Sequence, residues 1–230
     1  MDDYLTEREQ WEAIKVWLKE NLLWIVAGVA VGGSLLGGWR WYQAHVDQVA
    51  VQASTKYEQL ADALGRGDRT KALVLLGELE RDYSSSPYFD QGRLLVARAY
   101  VDSHDLDKAA SELQGVVEHS KDSEIALVAR LRLARVQIAQ GKPDMALTTL
   151  NGLQPGAFAW RYHEVRGDAY YTRGDKSNAL KEYLSAKASD VGGGPDGAEL
   201  DLKISDLSGD ATHLAGSALQ PPATAAAASK

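Results

Sequence analysis

The side chains able to do chemistry are few and scattered. The five histidines, His45, His104, His119, His163 and His213, never form an H-x3-H or H-E-x-x-H pair, the spacings that set two imidazoles on one face of a helix to hold zinc. No carboxylate-rich calcium loop or glycine-rich phosphate loop is present. The run Gly28-x3-Gly32-Gly33 lies inside an apolar stretch and has no lysine after it, so it is packing material and not a nucleotide loop. His104-Asp105 and Asp168 can be drawn as an acid–base pair, but they fall at repeat turns or helix faces, where solvated polar residues are common. The chain has no cysteine, which excludes disulfides, thiolate metal sites and cysteine nucleophiles. The reading is a non-enzymatic chain with no cofactor and no metal, whose residues must act by binding.

Two kinds of element carry the binding residues. The first is an apolar helix. Leu22 to Trp39 reads LLWIVAGVAVGGSLLGGW, and no charged residue occurs between Glu20 and Arg40. At about 1.5 Å per residue such a helix crosses the roughly 30 Å hydrocarbon layer once its flanking aromatics are included. Trp17 and Trp24 stand at one edge and Trp39, Trp41 and Tyr42 at the other, as interfacial belts require. A cleaved signal peptide would have a shorter apolar core behind a short basic region, and an A-x-A-like site after it. A buried hairpin helix would not keep aromatics at both edges. Arg8, Lys15 and Lys19 precede the span and only Arg40 follows closely, so residues 1–21 are expected on the cytoplasmic side and the rest outside. Gly28 and Gly32 are four apart, as are Gly33 and Gly37, a spacing that lets another helix backbone approach closely.

The second element is a repeat array, expected over residues 42–190. Ala97, Tyr100, Ala109, Leu113 and Val116 recur as Ala134, Gln137, Ala146, Leu150 and Leu153, and again as Gly167, Tyr170, Ala179, Tyr183 and Ala186. Leu60, Gly67, Ala72, Leu76 and Leu79 fit the same pattern more faintly. Small residues let the two helices of a pair approach, and bulky ones fill the space toward the next pair. Gly141 and Gly174 hold one fixed turn place, taken by His104 in the unit before. Ala72, Ala109, Ala146 and Ala179 are separated by 37, 37 and 33 residues, at or slightly above the tetratricopeptide period. The expected fold is therefore all-α: a transmembrane helix over residues 22–39, running directly into a tetratricopeptide-like solenoid in which each helix pair buries its face against its neighbours.

Past Val191 the pattern changes. Gly192 to Pro195 breaks the helix, and Glu199 to Leu207 alternates polar with apolar at period two, predicting a short strand that caps the last repeat over residues 191–207. From Ser208 to Lys230 too little apolar bulk remains, and the tail is expected to be disordered. Three basic and six acidic side chains precede Arg40, leaving 22 and 26 from Arg40 onward. That weakly acidic domain has no large electrostatic reason to hold nucleic acid.

Specific stretches also resemble a known family. These are the D-x-Y-L-T-E-x-E-Q start from Asp2 to Gln10, the residues Ile14, Lys15, Trp17 and Asn21, the glycine-rich span ending in Trp39 and Tyr42, and L-D-L-K-I-S-D-L from Leu200 to Leu207. Together they look like the bacterial ancillary subunit of the SecYEG translocon, a single-span inner-membrane protein with a periplasmic tetratricopeptide-like domain. The resemblance covers roughly residues 1–208. It implies a non-enzymatic role at the exit of the export channel. The implied partners are SecYEG, a membrane-anchored periplasmic prolyl isomerase (PpiD-like) and unfolded exported proteins on their way to periplasmic chaperones. A link to envelope stress signalling is also implied. The alternative is a membrane-anchored repeat scaffold for envelope or outer-membrane assembly, binding folded partners only.

In tetratricopeptide families the groove positions flank the small first-helix residue. Carried over, they are Gln91, Leu94, Arg98 and Val101, then Val128, Leu131, Arg135 and Ile138, then Arg161, Glu164, Asp168 and Tyr171. The lysine- and asparagine-rich clamp for acidic C-termini is missing. What remains is an apolar surface edged by Arg98 and Arg135, suited to holding varied extended segments. Against this, apolar repeat residues are mostly core, so the same leucines, valines and isoleucines equally complete inter-helix packing.

Overall fold

The structure, a computed structural model, describes residues 7–189 and 197–218, and the regular structure there is helical. The chain divides at Ser54 into two compact units. Helix α1 runs without a break from Glu7 to Gly65, so neither edge of the span is marked by a change of backbone. In the first unit Leu22, Leu23, Trp24, Val29, Leu35 and Leu36 all stand exposed. A continuous apolar surface of this size is stable in lipid and not in water. The mean hydropathy of the most apolar window is 1.7, and α1 is the one helix among the described residues long and apolar enough to cross a membrane. Its polar residues are satisfied from within: Ser34 Oγ donates to the Ala30 carbonyl and Asn21 Nδ2 to that of Trp17, both at 2.8 Å.

The second unit contains the end of α1 and helices α2 (Arg69–Tyr83), α3 (Pro87–Asp102), α4 (Leu106–His119), α5 (Ser123–Ala139), α6 (Pro143–Leu150), α7 (Ala159–Thr172), α8 (Lys176–Ser189) and α9 (Gly197–Ala218). A 3-10 turn, Gly156–Phe158, leads into α7. One turn design joins the helices of each pair. Gly67, His104, Gly141 and Gly174 all have positive φ, between 60° and 88°. At each of them the next residue's N–H reaches back to a carbonyl five residues earlier, as from Asp105 to Tyr100 and from Asp175 to Tyr170, both at 2.9 Å. This left-handed cap satisfies the carbonyls that the helix end leaves open. The residue after it then caps the following helix: Asp68, Asp105 and Asp175 accept from the backbone N–H of Lys71, Lys108 and Asn178. Lys142 holds that place before α6 and offers no side-chain acceptor.

The repeat alanines sit where the helices cross. Ala72, Ala109, Ala146 and Ala179 are fully buried, and Ala97 and Ala134 face them from the first helices. Gly167 takes that first-helix place in the last pair because a Cβ there would lie 2.3 Å from the Tyr183 ring. Each helix from α2 onward packs on the next, and α5 also meets α3 and α7.

The C-terminal segment departs from the sequence reading. Glu199–Leu207 is not a strand but part of α9, and α9 continues to Ala218 where a disordered tail was expected from Ser208. Gly192–Pro195 and residues 219–230 lie outside the described residues. Leu200, Leu202 and Ile204 alternate in sequence, but Leu200, Ile204 and Leu207 also satisfy the helical spacing of four and three. The structure takes the second option. Leu200 and Leu207 are buried against Ala179, Tyr183 and Ala186, with Ile204 beside them, while Leu202 is 71% exposed. Leu200 also stands 33 residues after Gly167, the spacing that separates Gly167 from Ala134, so α9 is the first helix of a further unit.

Two outcomes test this architecture in the full-length chain held in mild detergent. His104→Gly removes the cost of a Cβ in the left-handed region, about 1–2 kcal/mol, against which glycine's extra freedom in the unfolded chain counts. The net expectation is a melting temperature higher by about 1–3 °C. A fall would show that the imidazole makes a compensating contact. Leu200→Ala is expected to destabilise by about 2–4 kcal/mol in a denaturant titration, and Leu202→Ala by under about 0.5. Equal effects would contradict the helical register of α9.

Candidate functional site

Helices α3, α5 and α7, the first helices of their pairs, carry the positions expected to form the groove, and the structure divides those positions among a cavity, an ionic cluster and the packed core. Between α3, α4 and α5 lies a cavity of about 330 Å³. Leu94, Arg98 and Val101 of α3 and Arg135 of α5, four of the expected groove positions, line it. Leu106 and Leu113 of α4, and Arg132, Val136 and Ala139 of α5, complete the wall. Leu94 is nearly buried at 9% exposure, and Val101 stands open at 38%.

Arg132 went unrecognised in the sequence, although its position three residues before Arg135 on one helix was a usable signal. The residue is exposed as a whole while its guanidinium is partly desolvated against the cavity wall. That partial burial, followed by repulsion from Arg98 and Arg135, holds the guanidinium below the usual arginine value. Arg98 pairs only loosely with Asp102 on its own helix, at 4.0 Å.

Farther along the same face, charge replaces apolar surface. Glu164 of α7 is 4% exposed, and its carboxylate receives Arg135 Nη2 at 2.8 Å, Arg161 Nη1 at 2.9 Å and Lys203 Nζ of α9 at 3.3 Å. Asp168, one turn on, accepts from Lys203 Nζ at 2.9 Å and from the Tyr183 hydroxyl at 2.8 Å. Burial disfavours the Lys203 ammonium, but its hydrogen bond to Asp168 and the charges of Asp168 and Glu164 outweigh this and raise its pKa above the usual lysine value. Burial, then the charge and hydrogen bond of Asp168, raise that of Tyr183. A carboxylate taken so far out of water is tolerable only with such a complete shell. Arg135, Glu164 and Lys203 thus form an ionic ladder across α5, α7 and α9.

The remaining expected positions are dispersed. Leu131 belongs to the core with Ala134, Leu150, Tyr162 and Val165, and Ile138 packs against that core. Gln91 and Val128 are half-buried, and Tyr171 is exposed beyond the ladder. In α1 a Cβ added at Gly28, Gly32, Gly33 or Gly37 would meet nothing within 4 Å, so all four present open backbone. Among the described residues no group of three or more His, Asp or Glu is placed to hold a metal ion.

Comparison with known proteins gives a consistent picture. A family model described as a tetratricopeptide repeat-like domain matches residues 15–209, the apolar helix and the repeats together. The chain is similar to a protein of Escherichia coli strain K12 called ancillary SecYEG translocon subunit, 32% identical over 83% of this chain and 92% of that one. A protein of the same name from Haemophilus influenzae is 27% identical over 80% of this chain and 90% of its own length. Among solved structures, MamA from Desulfovibrio magneticus RS-1 superposes with a TM-score of 0.55 at 17% identity, over 70% of this chain and 85% of that one, a likeness of fold alone. By the span of the repeat-domain match and its identity to relatives of nearly equal length, the chain belongs to the ancillary SecYEG translocon subunit family of tetratricopeptide repeat-like proteins.

Proposed function

We propose that this chain is a non-enzymatic ancillary subunit of the SecYEG translocon that binds partner proteins and helps pass newly exported chains to periplasmic chaperones. The observation that carries the reading is the 32% identity to a relative of that name over 83% of the chain. The span in α1 suits a single pass of the inner membrane. The basic residues Arg8, Lys15 and Lys19 ahead of it favour a cytoplasmic N-terminus and a periplasmic repeat domain. In this role the groove positions, from Gln91 to Tyr171, are contact surface for partners: the channel, a PpiD-like membrane-anchored prolyl isomerase and unfolded exported proteins. The apolar cavity beside α3 and α5 supports weak, adaptable holding of such segments.

The span has a part beyond tethering. Gly28, Gly32, Gly33 and Gly37 leave helix backbone open for another span to pack against. Affinity purification of the tagged chain from membranes in mild detergent is expected to bring down the channel subunits and the prolyl isomerase. Recovery of an outer-membrane assembly complex in their place would overturn the reading. Replacing both Gly32 and Gly33 by leucine is expected to leave insertion intact and to reduce the recovered channel by about tenfold, corresponding to about 1.4 kcal/mol of helix–helix packing. Full recovery with an unrelated span of equal length would place the contact in the repeats.

A further inference from the structure

Two stretches of the face carried by α3, α5 and α7 differ in one respect that points to a ligand. In the ladder every guanidinium and ammonium meets a carboxylate of the chain itself. Beside the cavity the balance is not closed. Arg98, Arg132 and Arg135 converge there, Arg135 is committed to Glu164, and Arg98 has only the 4.0 Å contact with Asp102. Arg132 makes no hydrogen bond or ion pair with a carboxylate among the described residues. The charges nearest it, those of Arg98 and Arg135, are like its own; burial and then their repulsion disfavour its guanidinium. Immediately beneath these cations lies aliphatic wall: Leu94 and Val101 of α3, Leu113 of α4 and Val136 of α5.

We propose that this cavity takes an aliphatic side chain of an extended partner segment, and that Arg132 binds the carboxylate of an aspartate or glutamate beside it. The inference rests on the proposed role only in assuming that the groove face meets partner proteins, and it names their chemistry. A volume of about 330 Å³ is at the small end of ligand pockets, which run to roughly 1,000 Å³. It accommodates a leucine- or isoleucine-sized group and not a folded surface. An acidic neighbour supplies the anion that Arg132 lacks, through charge-assisted hydrogen bonds. A basic segment with the same aliphatic residue meets repulsion from all three arginines, so selectivity comes from both signs of the interaction. Glu164 already occupies Arg135 and Arg161 on the ladder side, which leaves Arg132, at the cavity wall, as the cation a guest's carboxylate would meet.

The test is fluorescence anisotropy with the full-length chain in detergent micelles and four labelled, C-terminally amidated peptides of eight residues, alike except at the centre: Asp-Leu-Asp, Lys-Leu-Lys, Asp-Ala-Asp and Ser-Leu-Ser. A fifth carries Ser-Leu at a free C-terminus. Asp-Leu-Asp is expected to bind about tenfold or more tighter than each of the others, and the advantage over Ser-Leu-Ser should shrink as salt rises. Arg132→Gln is expected to remove that advantage without moving the melting temperature, since the native side chain holds no partner. Val101→Asp, at an open wall position, is expected to abolish binding of the acidic peptide. Equal binding of the basic peptide, or an affinity unchanged in Arg132→Gln, overturns the proposal, and so does tighter binding of the free C-terminus. Channel co-purification with the unsubstituted chain separates the two readings. If that chain recovers the channel and does not bind Asp-Leu-Asp, the inference alone falls, whereas failure to recover the channel removes the proposed role whatever the peptides do.

Discussion

The spacing between crossing helices is set where Ala72, Ala109, Ala146 and Ala179 meet their partners, positions with no room for more than a methyl group. Because the helices touch there at backbone range, the bulky residues four and seven places later reach the next pair, and the turn must reverse the chain within a few residues. The left-handed caps at Gly67, His104, Gly141 and Gly174 follow from that demand. Gly167 shows its strictest form, since the Tyr183 ring fills the volume of its absent side chain. A larger group at any of these crossings would displace a whole pair, and each neighbour would have to follow.

Once the first helices are set side by side, their groove-facing residues have either to bury one another or to face solvent. The chain does both. Along α5, α7 and α9 opposite charges are interleaved until the face is cross-linked, with a nearly buried carboxylate at the centre. Removing one cation from such a shell leaves a buried charge short of partners, a loss of about 3–5 kcal/mol, while an exposed pair such as Arg98–Asp102 contributes little. Between α3 and α5 the face stays apolar and receptive. Rigidity and receptivity are thus assigned to different stretches of one surface.

Much of this was legible in the residues. The span, the pairing of helices, the turn positions and the crossing alanines all follow from spacing, because each is enforced locally or at a fixed repeat distance. The groove was legible only in part. Leu94 and Leu131 hold equivalent places, yet Leu94 borders a cavity and Leu131 is core; what separates them is the filling by Tyr162 and Val165 of α7, which repeat equivalence does not encode. The ladder was hidden because its partners lie 29 and 39 residues apart, where no pairing rule applies. Helix α9 was misread because Leu200 to Leu207 satisfies two periodicities at once, and only burial against Tyr183 and Ala186 decides between them.

Packing in which each helix meets mainly the next one in sequence also sets the order in which the fold can be assembled. Among the described residues each helix of the repeat unit completes its core with helices one or two places along, so loop-closure entropy is spent in small steps and the sequence separation of contacts is low. A chain supplied gradually from its N-terminal end can lay down α2 on α1's last turns, then α3, and onward, with only the leading helix exposing its apolar stripe. Helix α9 takes the next first-helix place in that progression. Its ionic contacts with α7 tie it to a face that α5 and α7 have already formed.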